Sequence, residues 1–171
     1  MLVRVPRFLV LLHGESTTLA ALVATWSAAL LAAAFAAWWA RVVVPMDFLH
    51  TAAMAVVAAD LAAGFVAGLS NGTTSYYHSQ PRALWTVLGL NIAPPAFLLW
   101  LFPIGGIFWP VLCVYALGGA AVLLRVTHPE TRRLLSGFLV LLGSAEIMAG
   151  AGIPGEAQFL GFAYLFKILY S

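Results

Sequence analysis

Charge is what this chain has least of. Charged side chains make up 8% of its 171 residues, where soluble domains carry about 25%. Six acidic and eight basic residues cannot give a domain of this size a solvated surface. A nucleic-acid partner is not expected either. The sequence pI is about 9.0, but the basic residues are scattered between apolar runs and form no patch. The single cysteine, Cys113, lies within an apolar run. It excludes an intramolecular disulfide and any CxxC redox or zinc motif. There is no HExxH metal motif, GxSxG elbow or SxxK pair. Internal repeats and low-complexity tails are also missing.

What the chain does have is apolar sequence: 63% hydrophobic residues and a mean hydropathy of +1.00. Six apolar segments are separated by breakers, at residues 17–40, 46–70, 83–102, 104–126, 132–152 and 157–170. A helical span needs about 20 residues, so the first five qualify and the sixth is short. An interfacial helix is expected at 5–14. The apolar stretch after Arg4 and Arg7 is too long for a signal peptide and reads as a retained first helix. The polar run Asn71-Gly72-Thr73-Thr74-Ser75 before Pro81 reads as the longest loop, and Ser16-Thr17-Thr18 as a helix start. The expected fold is all-α: a polytopic membrane bundle of five to six transmembrane helices, forming one domain over residues 1–171.

Orientation follows from Lys and Arg. With the amino terminus inside, Arg4, Arg7, Arg82, Arg125, Arg132 and Arg133 are cytoplasmic and only Arg41 is outside. This positive-inside asymmetry assigns a cytoplasmic amino terminus. Trp26, Trp38, Trp39, Trp85, Trp100 and Trp109 read mostly as interfacial anchors.

Asp60 then stands out. A carboxylate near the middle of a span costs about 2.5–3.5 kcal/mol on insertion scales. At about 1.5 Å per helical residue, Asp60 lies about 16 Å from Asn71, Asn91 about 14 Å above Arg82, and Glu146 about 20 Å above Arg133. Three segments therefore place a polar side chain at a similar depth, with Glu15 a candidate fourth. Asp60 shares a helix face with Gly64, Ala67, Gly68 and Asn71, a small-residue stripe of the kind that packs against protein. Glu146 shares one with Gly143 and Gly150. Pro94 and Pro95 release the carbonyls of Leu90 and Asn91, which then need partners. Lys167 reads either as a counter-ion for this layer or as an interfacial residue snorkelling to headgroups.

A second set gathers on the cytoplasmic side. His13, His78 and His128, with Glu15, Asn71, Tyr76, Tyr77 and Glu130, offer weak grounds for a metal. Their spacing matches no known ligand motif. His50 has no histidine partner at midplane depth, which argues against a bis-histidine haem. No cofactor is expected.

The run Asp60-Leu-Ala-Ala-Gly64, followed by Asn71, Thr74, Tyr76, Tyr77 and His78, resembles a group of small bacterial polytopic membrane proteins. In that group an intramembrane Asp precedes a glycine and an Asn/Thr-rich turn ends in a tyrosine pair. The resemblance covers about residues 14–102 and implies no activity. The group's next helix often carries His-x-x-Pro, where this chain has Asn91-Ile-Ala-Pro94. In size and tryptophan content the chain is also similar to the five-helix tryptophan-rich sensory proteins, without their paired Trp-Pro motifs.

Three functional readings follow. In the first, Asp60, Asn91 and Glu146, with Asn71 and Tyr77, bind or transport a small polar solute, a proton or a lipid headgroup. The lipid bilayer surrounds the protein, and a second copy or a membrane partner subunit completes it. In the second, the chain is a membrane enzyme acting on a lipid through a carboxylate or an interfacial His/metal site. In the third, it is a structural subunit. Binding or transport is preferred over enzyme activity.

Overall fold

The structure is a computed structural model. It describes residues 2–6, 9–103, 106–149 and 155–169, excluding the side chains of Asn71, Thr74, His78, Pro81 and Glu156. It is mostly helical, and among the described residues three stretches are long and apolar enough to cross a membrane: Leu19–Val42, Phe48–Gly68 and Arg82–Leu101. The described residues fall into two compact units, divided between Leu90 and Asn91.

The first unit opens with a small hairpin that the sequence reading does not anticipate. Strand β1 (Leu2–Arg4) pairs antiparallel with β2 (Ser16–Thr18), Leu2 opposite Thr18, and encloses the one-turn helix α1 (Val10–His13). The interfacial helix expected at 5–14 is thus reduced to four residues. Pro6 offers no amide donor near its start, and Gly14 ends it at φ +73°, a conformation that favours glycine. Thr18 also caps α2 (Leu19–Val42), accepting from the Ala21 amide at 3.1 Å. The helix-start reading of Ser16–Thr18 is therefore right at its last residue and incomplete before it.

Helix α3 (Phe48–Gly68) returns against α2. Its N-cap is Asp47, whose carboxylate accepts from the His50 amide at 2.9 Å and meets the His50 ring at 2.6 Å. These bonds hold the Asp47 carboxyl below its ordinary range. The side chains are distributed inside out. On α2 the buried face is Thr25, Ala29, Ala36 and Ala40, while Leu30, Leu31, Phe35 and Trp38 are exposed. Small residues inside let the two backbones approach, and large apolar residues outside suit a lipid surround.

The segment expected as a polar loop at 71–75 is instead helix α4 (Asn71–Ser79). The reason is a cap: the Ser70 hydroxyl accepts from the Thr73 amide at 3.4 Å and meets the Thr73 hydroxyl at 3.0 Å. A Ser followed by a helical turn is an N-cap before it is a loop. Helix α5 (Pro81–Leu90) completes the unit.

The second unit begins where the third apolar segment breaks. Turn residues 91–92 separate α5 from α6 (Ala93–Leu101), as the proline pair requires. Then come α7 (Phe108–Leu123), α8 (Pro129–Ala149) and α9 (Gly155–Leu169). At 16 residues α7 is shorter than the span expected at 104–126. Side chains reach main-chain carbonyls across this unit. Tyr115 donates to Leu139 at 2.6 Å, Ser136 donates to Leu169, and the indole of Trp109 donates to Phe102 at 3.3 Å. Trp109 is fully buried, so it is core and not the interfacial anchor expected of it.

Candidate functional site

Asp60 is exposed on α3, while its helix neighbours Val57, Ala58 and Leu61 are buried. Of its stripe, Ala67 is buried and Gly64 and Gly68 are half-buried. The stripe thus packs partly inward, while Asp60 at its start is exposed. The side chain of Asn71 lies outside the described residues.

In the second unit Asn91 is buried. Its backbone carbonyl, freed by Pro95, accepts from the Tyr164 hydroxyl of α9 at 2.9 Å. The same hydroxyl lies 3.7 Å from the Cys113 sulfur of α7. The released carbonyl therefore has its partner, and the partner is protein. Glu146 is exposed on α8. One turn earlier on the same helix, Gly143 packs closely on α7: a Cβ there would come within 2.7 Å of Tyr115 Cε1 and 2.8 Å of Leu165 Cδ1. Lys167 is buried on α9.

The most constructed polar region in the first unit lies elsewhere, at the amino terminus. Tyr77 of α4 donates to the Leu11 carbonyl, and Thr73 donates to the Leu12 carbonyl at 3.0 Å. These satisfy carbonyls that a one-turn helix cannot satisfy itself. Burial, with a smaller contribution from neighbouring Tyr76, pushes the Tyr77 hydroxyl up to about 12. Gly14 and Gly72 bring the two helices together: a Cβ on Gly14 would stand 2.8 Å from the Gly72 carbonyl carbon and 3.1 Å from Tyr76 Cβ. Tyr77, expected as a binding residue, ties α4 to α1 through this bond.

His13 is sealed by this arrangement. It is fully buried, its ring is 6.2 Å from that of Trp26, and neither ring nitrogen has a hydrogen-bond partner. Burial lowers its pKa. Thr17 and Thr25 are likewise buried with unpartnered hydroxyls. Sequence reading placed His13 in a surface metal cluster. The only signal for burial was its position directly before Gly14. His128 is exposed, with the Thr131 hydroxyl 3.4 Å from its ring, and the His78 side chain lies outside the described residues. Among the described residues no group of three or more His, Cys, Asp or Glu is placed to hold a metal ion.

Comparison with family models, with curated proteins and with solved structures finds no match to this chain.

Proposed function

We propose that the chain is a multi-pass membrane protein that binds a small polar solute, a proton or a lipid headgroup through Asp60, Asn91 and Glu146. Its spans are α2, α3, the broken pair α5–α6, α7 and α8, with α9 a shorter sixth. The amino terminus is cytoplasmic, in a bacterial inner membrane. The observation that carries this reading is the exposure of Asp60 and Glu146 on helices whose outer faces are otherwise large and apolar: Val56 on α3, and Phe138, Leu141 and Met148 on α8. A carboxylate on a lipid-facing surface is costly unless it is protonated or meets a ligand or another subunit. A second copy or a partner subunit completes the site in this reading. Asn91 contributes a polar group at the helix break, a common setting for solute sites.

The test is proton or solute movement in liposomes carrying the purified protein. Asp60→Asn is expected to abolish uptake or its pH dependence while leaving the protein folded. Uptake equal to wild type in that variant would remove Asp60 from the mechanism.

A further inference from the structure

We propose that α1 is an acid-released latch: it stays docked on α4 while the His13 ring is uncharged and comes away when the ring takes up a proton. The latch is separate from the Asp60, Asn91 and Glu146 layer and does not rest on it. Its trigger is one residue. His13 closes α1, is fully buried, and neither of its ring nitrogens has a hydrogen-bond partner. An uncharged imidazole can occupy such a place. An imidazolium there carries two donors and a full charge with no acceptor to receive them.

The hold on α1 is light enough for one proton to decide. The helix is a single turn, and two side chains of α4 reach it: Tyr77 donates to the Leu11 carbonyl and Thr73 to the Leu12 carbonyl. A released segment gives histidine its ordinary value of 6.5, and burial lowers that value in the docked one. Docking is therefore at full strength above pH 6.5. Each unit below it shifts the balance about tenfold toward release, until the docked ring itself titrates. One net hydrogen bond is also worth about tenfold, so about two units of acid weigh as much as both ties.

The other titratable groups of these elements do not offer the same trigger. Helices α3 and α4 pack on α1, and α2 brings the Trp26 ring to 6.2 Å from that of His13. Glu15 adjoins α1 but is exposed, as is Asp60 on α3, and Asp47 pairs with His50 at the start of α3. Helix α2 carries no charge before Arg41, and α4 offers Tyr76 and Tyr77. Arg4 in β1 is a like charge to an imidazolium, and Arg7 and the His78 side chain lie outside the described residues.

Spin labels on Leu11→Cys and Ser75→Cys, in a Cys113→Ala background, report the separation of α1 and α4 in the full-length protein in phosphatidylcholine nanodiscs. Dipolar broadening is expected at pH 8 and its reversible loss by pH 5. Glu15→Gln is expected to keep this transition, and His13→Gln, which takes up no proton, to abolish it. Spectra of ¹⁵N-histidine protein without spin labels are expected to show the His13 ring neutral while α1 is docked and protonated over the pH range of release. That measurement decides the proposal even where His13→Gln does not fold. The proposal is overturned if broadening persists at pH 5, if α1 leaves while His13 stays neutral, if the docked ring is charged, if Glu15→Gln abolishes the transition, or if acid releases His13→Gln as it does wild type.

Discussion

Tyr164 donates its hydroxyl hydrogen to the backbone carbonyl of Asn91 at 2.9 Å, across 73 positions of sequence. That carbonyl lost its helical donor to Pro95. The bond ties α9 to the point where the third apolar segment breaks. Tyr164→Phe is expected to destabilise the protein by about 1–3 kcal/mol, the cost of a buried acceptor left unpaired. Pro95→Ala in the same background returns an amide donor four residues along and is expected to recover part of the loss. Denaturant unfolding in detergent measures both, and equal stability of Tyr164→Phe and wild type would contradict the assignment.

Gly14 is irreplaceable for two independent reasons: its φ of +73° and the Gly72 main chain against it. Gly14→Ala is expected to cost about 1–3 kcal/mol from backbone strain alone, with more from the clash. Hydrogen exchange should show protection lost first in β1, α1 and β2.

Tyr77 makes stability depend on alkaline pH. Its hydroxyl titrates at about 12 in the fold against 10.0 in the unfolded chain. The group's contribution is therefore complete below pH 10 and is lost as pH rises toward about 12. Tyr77→Phe, which loses the bond to Leu11, is expected to cost about 1 kcal/mol near neutral pH and to flatten that alkaline fall. A stability profile from pH 8 to 12 on both proteins decides it.

The inside-out side-chain distribution predicts which positions water reaches. In a Cys113→Ala background, Leu30→Cys and Leu141→Cys are expected to resist a water-soluble maleimide in intact membranes. Ser75→Cys and Glu130→Cys are expected to react from the cytoplasmic side. Labelling at Leu30→Cys as fast as at Ser75→Cys would contradict the spanning assignment.

The helix break at Pro94-Pro95 was readable in the sequence, because proline acts on the residues next to it. The partner of the freed carbonyl was not, because nothing local points from Asn91 to Tyr164. Asn71–Ser75 looked like a loop because Asn-Gly and Thr-Thr favour turns. The Ser70 cap and the tie from Thr73 to Leu12 make it helical. The small-residue stripe of α3 was legible as a packing face, but the exposure of Asp60 at its start was not, because burial depends on which neighbouring elements cover that side. His13 was read as a surface residue because the β1–β2 hairpin that encloses α1 pairs residues 12 to 16 positions apart.

The claim at the centre of this account is that Asp60 and Glu146 are carboxyl groups facing lipid or another membrane subunit. Carbodiimide labelling of native membranes, read by mass spectrometry, tests it directly. A hydrophobic carbodiimide is expected to modify Asp60 and Glu146 at neutral pH and to spare Asp47 and Glu130, while a water-soluble one shows the reverse. Asp60 reacting only with the water-soluble reagent would contradict the account.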